Sequence, residues 1–222
     1  MKKHWLLFAI FVSLCGVLWQ KNQGAQPQYR SLPVTVVASR VPMENAVAAK
    51  IVRGAKAQYG TLYDASFQQI AFPNGDVAPS RGACSDVIVR AIRAAGFDMQ
   101  KLMHDDMTRN FGLYPPKWNL NAPNTDIDHR RVPNQMTFFR RFGKTLPITF
   151  GSSTRSSWQP GDIVIWNSGN GRTHTGVVSD GVSPLDVPLI IHNNQICREE
   201  DVLFRWKIIG HFRFPQPTNP KR

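Results

Sequence analysis

Between residues 82 and 96 apolar side chains recur at helical period. Cys84, Val87, Ile88, Ala91, Ile92 and Ala95 fall on one stripe, while Asp86, Arg90 and Arg93 point elsewhere. The pattern predicts an amphipathic helix with a cysteine in the first turn of its buried face. Gly82 lets the chain turn tightly into it, Asp86 sits where the helix dipole favours an anion, and Gly96 closes the far end. A thiol in that place is expected to ionise below its ordinary value, because the positive helix end favours thiolate. The competing reading is a small buried cysteine that only packs.

The rest of the first half is also helical in pattern. Glu44 to Tyr59 reads as one helix, closed by Gly60, and Asp98 caps another that runs to about Arg109. Pro133 opens a short helix, Asn134 to Phe142, ended by Gly143. After Phe150 the period changes from helix to strand. Residues 163–166, 175–179, 189–192, 201–204 and 208–214 are short β-rich runs separated by turn residues. Helices first and strands last predict an α+β domain whose helices pack on an antiparallel sheet.

With 222 residues, 42% of them hydrophobic and 10% aromatic, the chain is long enough for one well-filled core and short for two. One domain is expected over residues 43–215, with a tail at 216–222. Met1-Lys2-Lys3-His4 followed by the apolar run Trp5 to Trp19 has the two leading regions of a secretory signal, ending near Gly24-Ala25. That run is shorter than the roughly 20 residues a spanning helix prefers, so a cleaved signal over 1–25 is expected ahead of an uncleaved anchor. Leu14 before Cys15, where a small residue is wanted, argues against lipidation there. Residues 26–42, punctuated by Pro27, Pro33 and Pro42, read as a linker. The expected location is the periplasm, with association to the inner membrane through the N-terminal segment as the variant. The formal net charge is +12, and three of those charges, Lys2, Lys3 and Lys21, fall in or beside the leader. A basic body suits a polyanionic neighbour such as the cell envelope; without a dense basic run, nucleic acid is not expected as a partner.

Export leaves Cys84 and Cys197 as the cysteines of the domain, so a disulfide between them is an open alternative. No CxxC pair is present, and no cofactor is implied.

The chemistry turns on two histidines. His174 begins one predicted strand and His192 ends another, and the midpoint between them, Ser183, lies inside the intervening turn. Opposed residues in a hairpin are equidistant from its turn, so the two rings are expected to be neighbours across the pair, with His174, Gly176 and Val178 on one face. Gly176 is expected to leave space for a packed helix. A cysteine helix on that face would bring Cys84 to His174, with His192 orienting the imidazole, which is the arrangement a thiol enzyme requires.

Gly82-Ala83-Cys84-Ser85-Asp86, Pro160-Gly161-Asp162-Ile163-Val164-Ile165-Trp166, His174-Thr175-Gly176-Val177-Val178 and Ile191-His192-Asn193-Asn194, in that order, resemble the successive motifs of the NlpC-type papain-like cysteine peptidases. More closely, residues 43–214 resemble an uncharacterised bacterial envelope family placed in that superfamily. The resemblance implies a papain-like fold with Cys84 as nucleophile, His174 as general base and acid, and His192 as the orienting residue. Tyr63 matches a tyrosine that lines the oxyanion region in relatives, and Ser85, next to the nucleophile, shares that region. Ala83 and Asp86 depart from the residues usual there, Asp and Gly. The long irregular stretch between about Met103 and Gly151 carries Trp118, Asp126, Asp128, His129, Arg130 and Arg131; Trp118 and Asp128 are expected to wall the cleft and select substrate. The reading that follows is an exported amidase or peptidase acting on peptidoglycan or another envelope polymer. The alternatives are an acyltransferase or thioesterase-like enzyme acting on lipid or acyl groups, a non-catalytic envelope-binding module, and a Cys-His-His metal site.

Overall fold

The computed structural model describes residues 45–216. The expected signal, the whole of the expected linker and all of the expected tail except residue 216 lie outside the described residues. Among the described residues four α-helices precede the six-stranded sheet. Helix α1 (Ala46–Lys56) starts where the Asn45 side chain accepts the Val47 N–H at 2.9 Å. Residues 62–63 (β1) and 81–82 (β2) form a small parallel pair that leads into α2 (Cys84–Ala94). Asp98 caps α3 (Met99–Asn110), and Pro133 lies in the first turn of α4 (Val132–Phe142).

The six-stranded sheet is antiparallel. Its strands are β3 (Lys144–Thr145), β4 (Ile163–Gly169), β5 (Arg172–Val182), β6 (Pro188–Asn193), β7 (Cys197–Glu200) and β8 (Lys207–Arg213), in the order β3-β8-β4-β5-β6-β7. Each central strand is buried on both faces, which is why these runs are nearly continuous in Val and Ile. Ile163, Ile165, Val177, Ile191 and Phe212 meet the helices. Val164, Trp166, Val178 and Ile190 point the other way, into a second cluster with Trp158, Val202 and Leu203. On the helix side, Ile88 and Ile92 of α2 are fully buried, and each contributes about 1.5–3 kcal/mol of hydrophobic stabilisation. Gly54 lets α1 approach α2: a Cβ there would stand 2.5 Å from the Ala94 Cβ.

The helix spans follow the period reading, with α1 shorter than Glu44 to Tyr59. One strand is displaced. Residues 201–204, expected as a strand, contribute to a turn in which the Arg205 N–H reaches the Val202 carbonyl, and the pairing strand is the polar segment Cys197–Glu200. Its outward charges hid it from a search for apolar runs.

Candidate active site

The β5–β6 pair keeps the expected parity but not the expected register. Val177 opposes Ile191 and Val178 opposes Ile190, so His192 stands opposite Gly176 and diagonal to His174. Beside the turn Val182 opposes Pro188, centred on Leu185, and a register shift between Val178 and Val182 leaves the histidine end of the pair two residues from the symmetric placement about Ser183. A two-residue slip preserves the face, and the rings still meet: His174 Nε2 is 2.8 Å from His192 Nδ1. Gly176 matters here for a different reason from the one expected. A Cβ on it would stand 2.6 Å from Ile190 Cγ2 and 3.1 Å from the His192 Cβ, so glycine makes room for the second histidine rather than for a helix.

The other ring nitrogen of His192, Nε2, lies 2.9 Å from Glu200 Oε2, and Glu200 is also held by Arg198 at 2.8 Å. A carboxylate only accepts, so His192 Nε2 carries the proton in that bond. In the neutral ring Nδ1 is then an acceptor, and His174 must donate to it from Nε2. That leaves His174 Nδ1 as the unprotonated nitrogen. Hydrogen bonding to His192 holds the Glu200 carboxyl down at about 2, so it remains a carboxylate, and an acceptor, over the neutral range. Trp166 and Trp206 enclose the pair, with ring centroids 5.8 and 4.9 Å from that of His174. Burial, then the neighbouring His192 and Arg205, push His174 down to about 3 and keep it neutral.

Cys84 opens α2, as expected, but α2 covers the other face of the sheet. Cys84 packs in the cluster that contains Val177 and Ile191, whereas His174 sits beside Trp166 on the opposite side. The expected shared face is therefore corrected: the thiol meets β5 at its backbone. The Thr175 N–H, one residue beyond His174, points at the Cys84 sulfur, as do the N–H groups of Ser85 and of Cys84 itself. No hydrogen bond joins the thiol to either imidazole among the described residues. Burial dominates over these donors, and the Asp86 charge adds to it, so the thiol is pushed up to about 11 rather than down. The helix-end effect is present in the three N–H groups but loses to desolvation.

The start of α2 is anchored by groups far from it along the chain. Asp86 accepts the Ala83 N–H at 2.6 Å and a bidentate pair from Arg130, at 2.8 and 3.0 Å; both side chains are almost wholly buried. Arg130 also donates to the Ser66 carbonyl. Asn193, the residue after His192, donates to the Gly82 and Thr61 carbonyls, at 2.9 and 3.1 Å, and so ties the loop before Cys84 to the end of β6. Residue separations of 44 and more are invisible to local pattern; only the polar character of Asn193 beside a candidate histidine was a signal.

Tyr63, half exposed on β1 opposite Gly82, lies close enough to Cys84 and Asp86 for their charges to add to burial in raising its hydroxyl to about 12. Ser85 is buried, and its carbonyl accepts from Gln135. Trp118 and Asp128 come together elsewhere. They line a cavity with Arg131 and Asn134, and none of Cys84, Tyr63, Ser85, His174 and His192 borders it. Their expected position beside the thiol is corrected: the 3-10 turn Asp128–Arg130 sends Asp128 to that cavity and Arg130 to Asp86, so the loop braces the cysteine helix. Cys84 and Cys197 are both buried and unbonded. Among the described residues no group of three or more His, Cys, Asp or Glu is placed to hold a metal ion, and no helix is long and apolar enough to cross a membrane.

The family described as "Domain of unknown function (DUF1287)" matches residues 52–214, and the chain belongs to it. It is 46% identical over 187 residues, 83% of this chain and 88% of the relative, to "Uncharacterized protein YijF" of Escherichia coli (strain K12). No solved structure matches.

Proposed function

We propose that the chain is an exported cysteine hydrolase of papain-like, NlpC-type fold that cleaves an amide bond in peptidoglycan, working in the periplasm with Cys84 as nucleophile. The observation that carries this reading is the line Glu200, His192, His174, which leaves His174 Nδ1 unprotonated one residue from the amide that touches the Cys84 sulfur. A base with its second nitrogen fixed by an orienting group is what nucleophilic catalysis by a thiol needs.

The resting pair is a neutral thiol and a neutral imidazole, so the thiol loses its proton to His174 Nδ1 as the sulfur attacks. Thiol and ring lie on opposite faces of β5, so a local shift at the start of β5 that brings the His174 ring round to the sulfur is part of that step. The carbonyl oxygen gains the negative charge, and the N–H groups at the start of α2 hold it, with Tyr63 alongside. His174 then gives its proton to the leaving amine, and the C–N bond breaks to leave a thioester on Cys84. Water, deprotonated by the same ring, hydrolyses the thioester and returns the thiol. Arg198 and Glu200 keep the relay polarised throughout.

The second reading, transfer or hydrolysis of an acyl group, is favoured by one observation: Leu62, Tyr63 and Phe67 are exposed beside the loop that enters α2. An acyl chain would rest on such a rim. Incubating purified peptidoglycan with the protein and identifying the fragments by mass separates the two readings. New peptide fragments with free amines support amide hydrolysis, and loss of acyl groups alone supports the second.

A further inference from the structure

The cavity between α3, the 3-10 turn Asp128–Arg130 and the start of α4 is unused by the thiol chemistry, and its lining is built for a ligand. Its volume is about 130 Å³. Asn134 lines it and is 1% exposed. The Asn134 amide is oriented by its Nδ2, which donates to the Asp128 carbonyl at 3.2 Å, so the other atom is the acceptor, and this buried Oδ1 has no donor among the described residues. A buried acceptor left so carries a desolvation cost that a donor arriving in the cavity relieves. Arg131 faces the same space. Its Nη1 is bonded to Asp128 at 2.8 Å, and its guanidinium lies 4.1 Å over the Trp118 ring, with further N–H groups left to donate. Met107 and Phe111 supply apolar walls.

An acceptor, a donor and an apolar wall around one small space match one functional group. An amide N–H bonds to Asn134 Oδ1, its carbonyl accepts from Arg131, and a methyl group packs on Met107 and Phe111. The indole of Trp118 at the rim offers a flat face for the C–H side of a pyranose. We infer that this cavity binds the acetamido group of an N-acetylated amino sugar, and so holds a glycan chain beside the cysteine helix. The choice of an amino sugar over another N-acyl compound rests on the peptidoglycan reading; the cavity chemistry does not. The site adjoins the catalytic one through a single turn, since Asp128 borders the cavity and Arg130, two residues on, pairs with Asp86 in the first turn of α2.

The test is a titration of the full chain, labelled with 15N, followed by the Trp118 indole N–H signal, which a Trp118→Phe spectrum assigns. N-acetylglucosamine is expected to shift that signal saturably, and glucosamine, which lacks the acetyl group, to leave it in place. Asn134→Leu, followed by the same signal, and Trp118→Ala, followed by isothermal titration calorimetry beside the parent, should each weaken binding by about tenfold or more. Should Asn134→Leu not fold, Trp118→Ala carries the point alone, because its ring is partly exposed. Cys84→Ala should bind the sugar as well as the parent, so a failure of the thiol chemistry leaves this result standing. Equal shifts with glucosamine, shifts with N-acetylalanine methylamide but not with the sugar, or no shift with any of the three would overturn the inference.

Discussion

Glu200 stands 2.9 Å from His192 Nε2, and that contact sets the direction of every proton in the line that ends at His174. Because the carboxylate cannot donate, His192 must, and Nδ1 of His174 is left without a proton. Glutamine at this position can present either its carbonyl or its NH2 to the ring, so the polarity is no longer enforced. Glu200→Gln is expected to lower kcat with little change in KM, by an amount within the roughly 10²–10⁴-fold that a positioned general base supplies. Glu200→Asp, which keeps the charge, should recover part of the loss. Steady-state kinetics on soluble peptidoglycan fragments would check this, and an unchanged kcat in Glu200→Gln would remove the relay from the mechanism.

The buried pair of Asp86 and Arg130 gives a stability prediction. Removing one partner leaves the other charged, buried and alone, which costs about 3–5 kcal/mol. Arg130→Met should therefore lower the free energy of unfolding in urea by that amount. Arg130→Met combined with Asp86→Asn should recover much of it, because no charge is then stranded. A double variant less stable than Arg130→Met would show that the ion pair is not the source of the loss.

Acid stability follows from two buried histidines. Burial holds His174 down to about 3 and His129 to about 4, both below the ordinary value of 6.5. The unfolded chain binds protons below 6.5 while the folded chain does not, so stability falls as the pH drops from 6.5 towards those lower values. Urea unfolding measured between pH 7 and pH 4 should show this slope, and His129→Asn should flatten it. An unchanged slope in that variant would assign the acid sensitivity to other groups.

Cys84 gives a prediction opposite to the one its helix position suggested. With the thiol pushed up to about 11 by burial, thiolate is scarce at neutral pH. Iodoacetamide should alkylate Cys84 in the folded protein about 100-fold more slowly than a free thiol, with the rate climbing steadily into the alkaline range. Cys197, pushed up to about 12 by its own burial, should be slower still. A plateau in the Cys84 rate below pH 8 would mean that thiolate and imidazolium already exist in the resting protein.

Periodicity made α2 and the three central strands legible, because their burial is carried by residues close in sequence. Parity placed the two histidines on one face, since a slip by two residues does not change which side a strand residue takes. Register was not legible: the irregularity between Val178 and Val182 leaves no mark that a search for alternation detects. Nor was the face chosen by α2, because β4, β5 and β6 are apolar on both sides and either face would accept a helix. Glu200 escaped because Asp201-Val202-Leu203-Phe204 looks more like a strand than Cys197-Arg198-Glu199-Glu200 does. Arg130 and Asn193 reach the cysteine loop across long separations, and only the folded chain brings them there.

The central claim is that Cys84 attacks an amide of peptidoglycan with His174 as its base. Its most direct test is digestion of purified peptidoglycan by the full chain and by its Cys84→Ala and His174→Ala variants, with the products identified by mass. The account predicts fragments with one new amine and one new carboxylate per cut from the parent, and none from either variant when each is shown to be folded. Cleavage that survives Cys84→Ala, or a folded parent that releases no fragments, would contradict it.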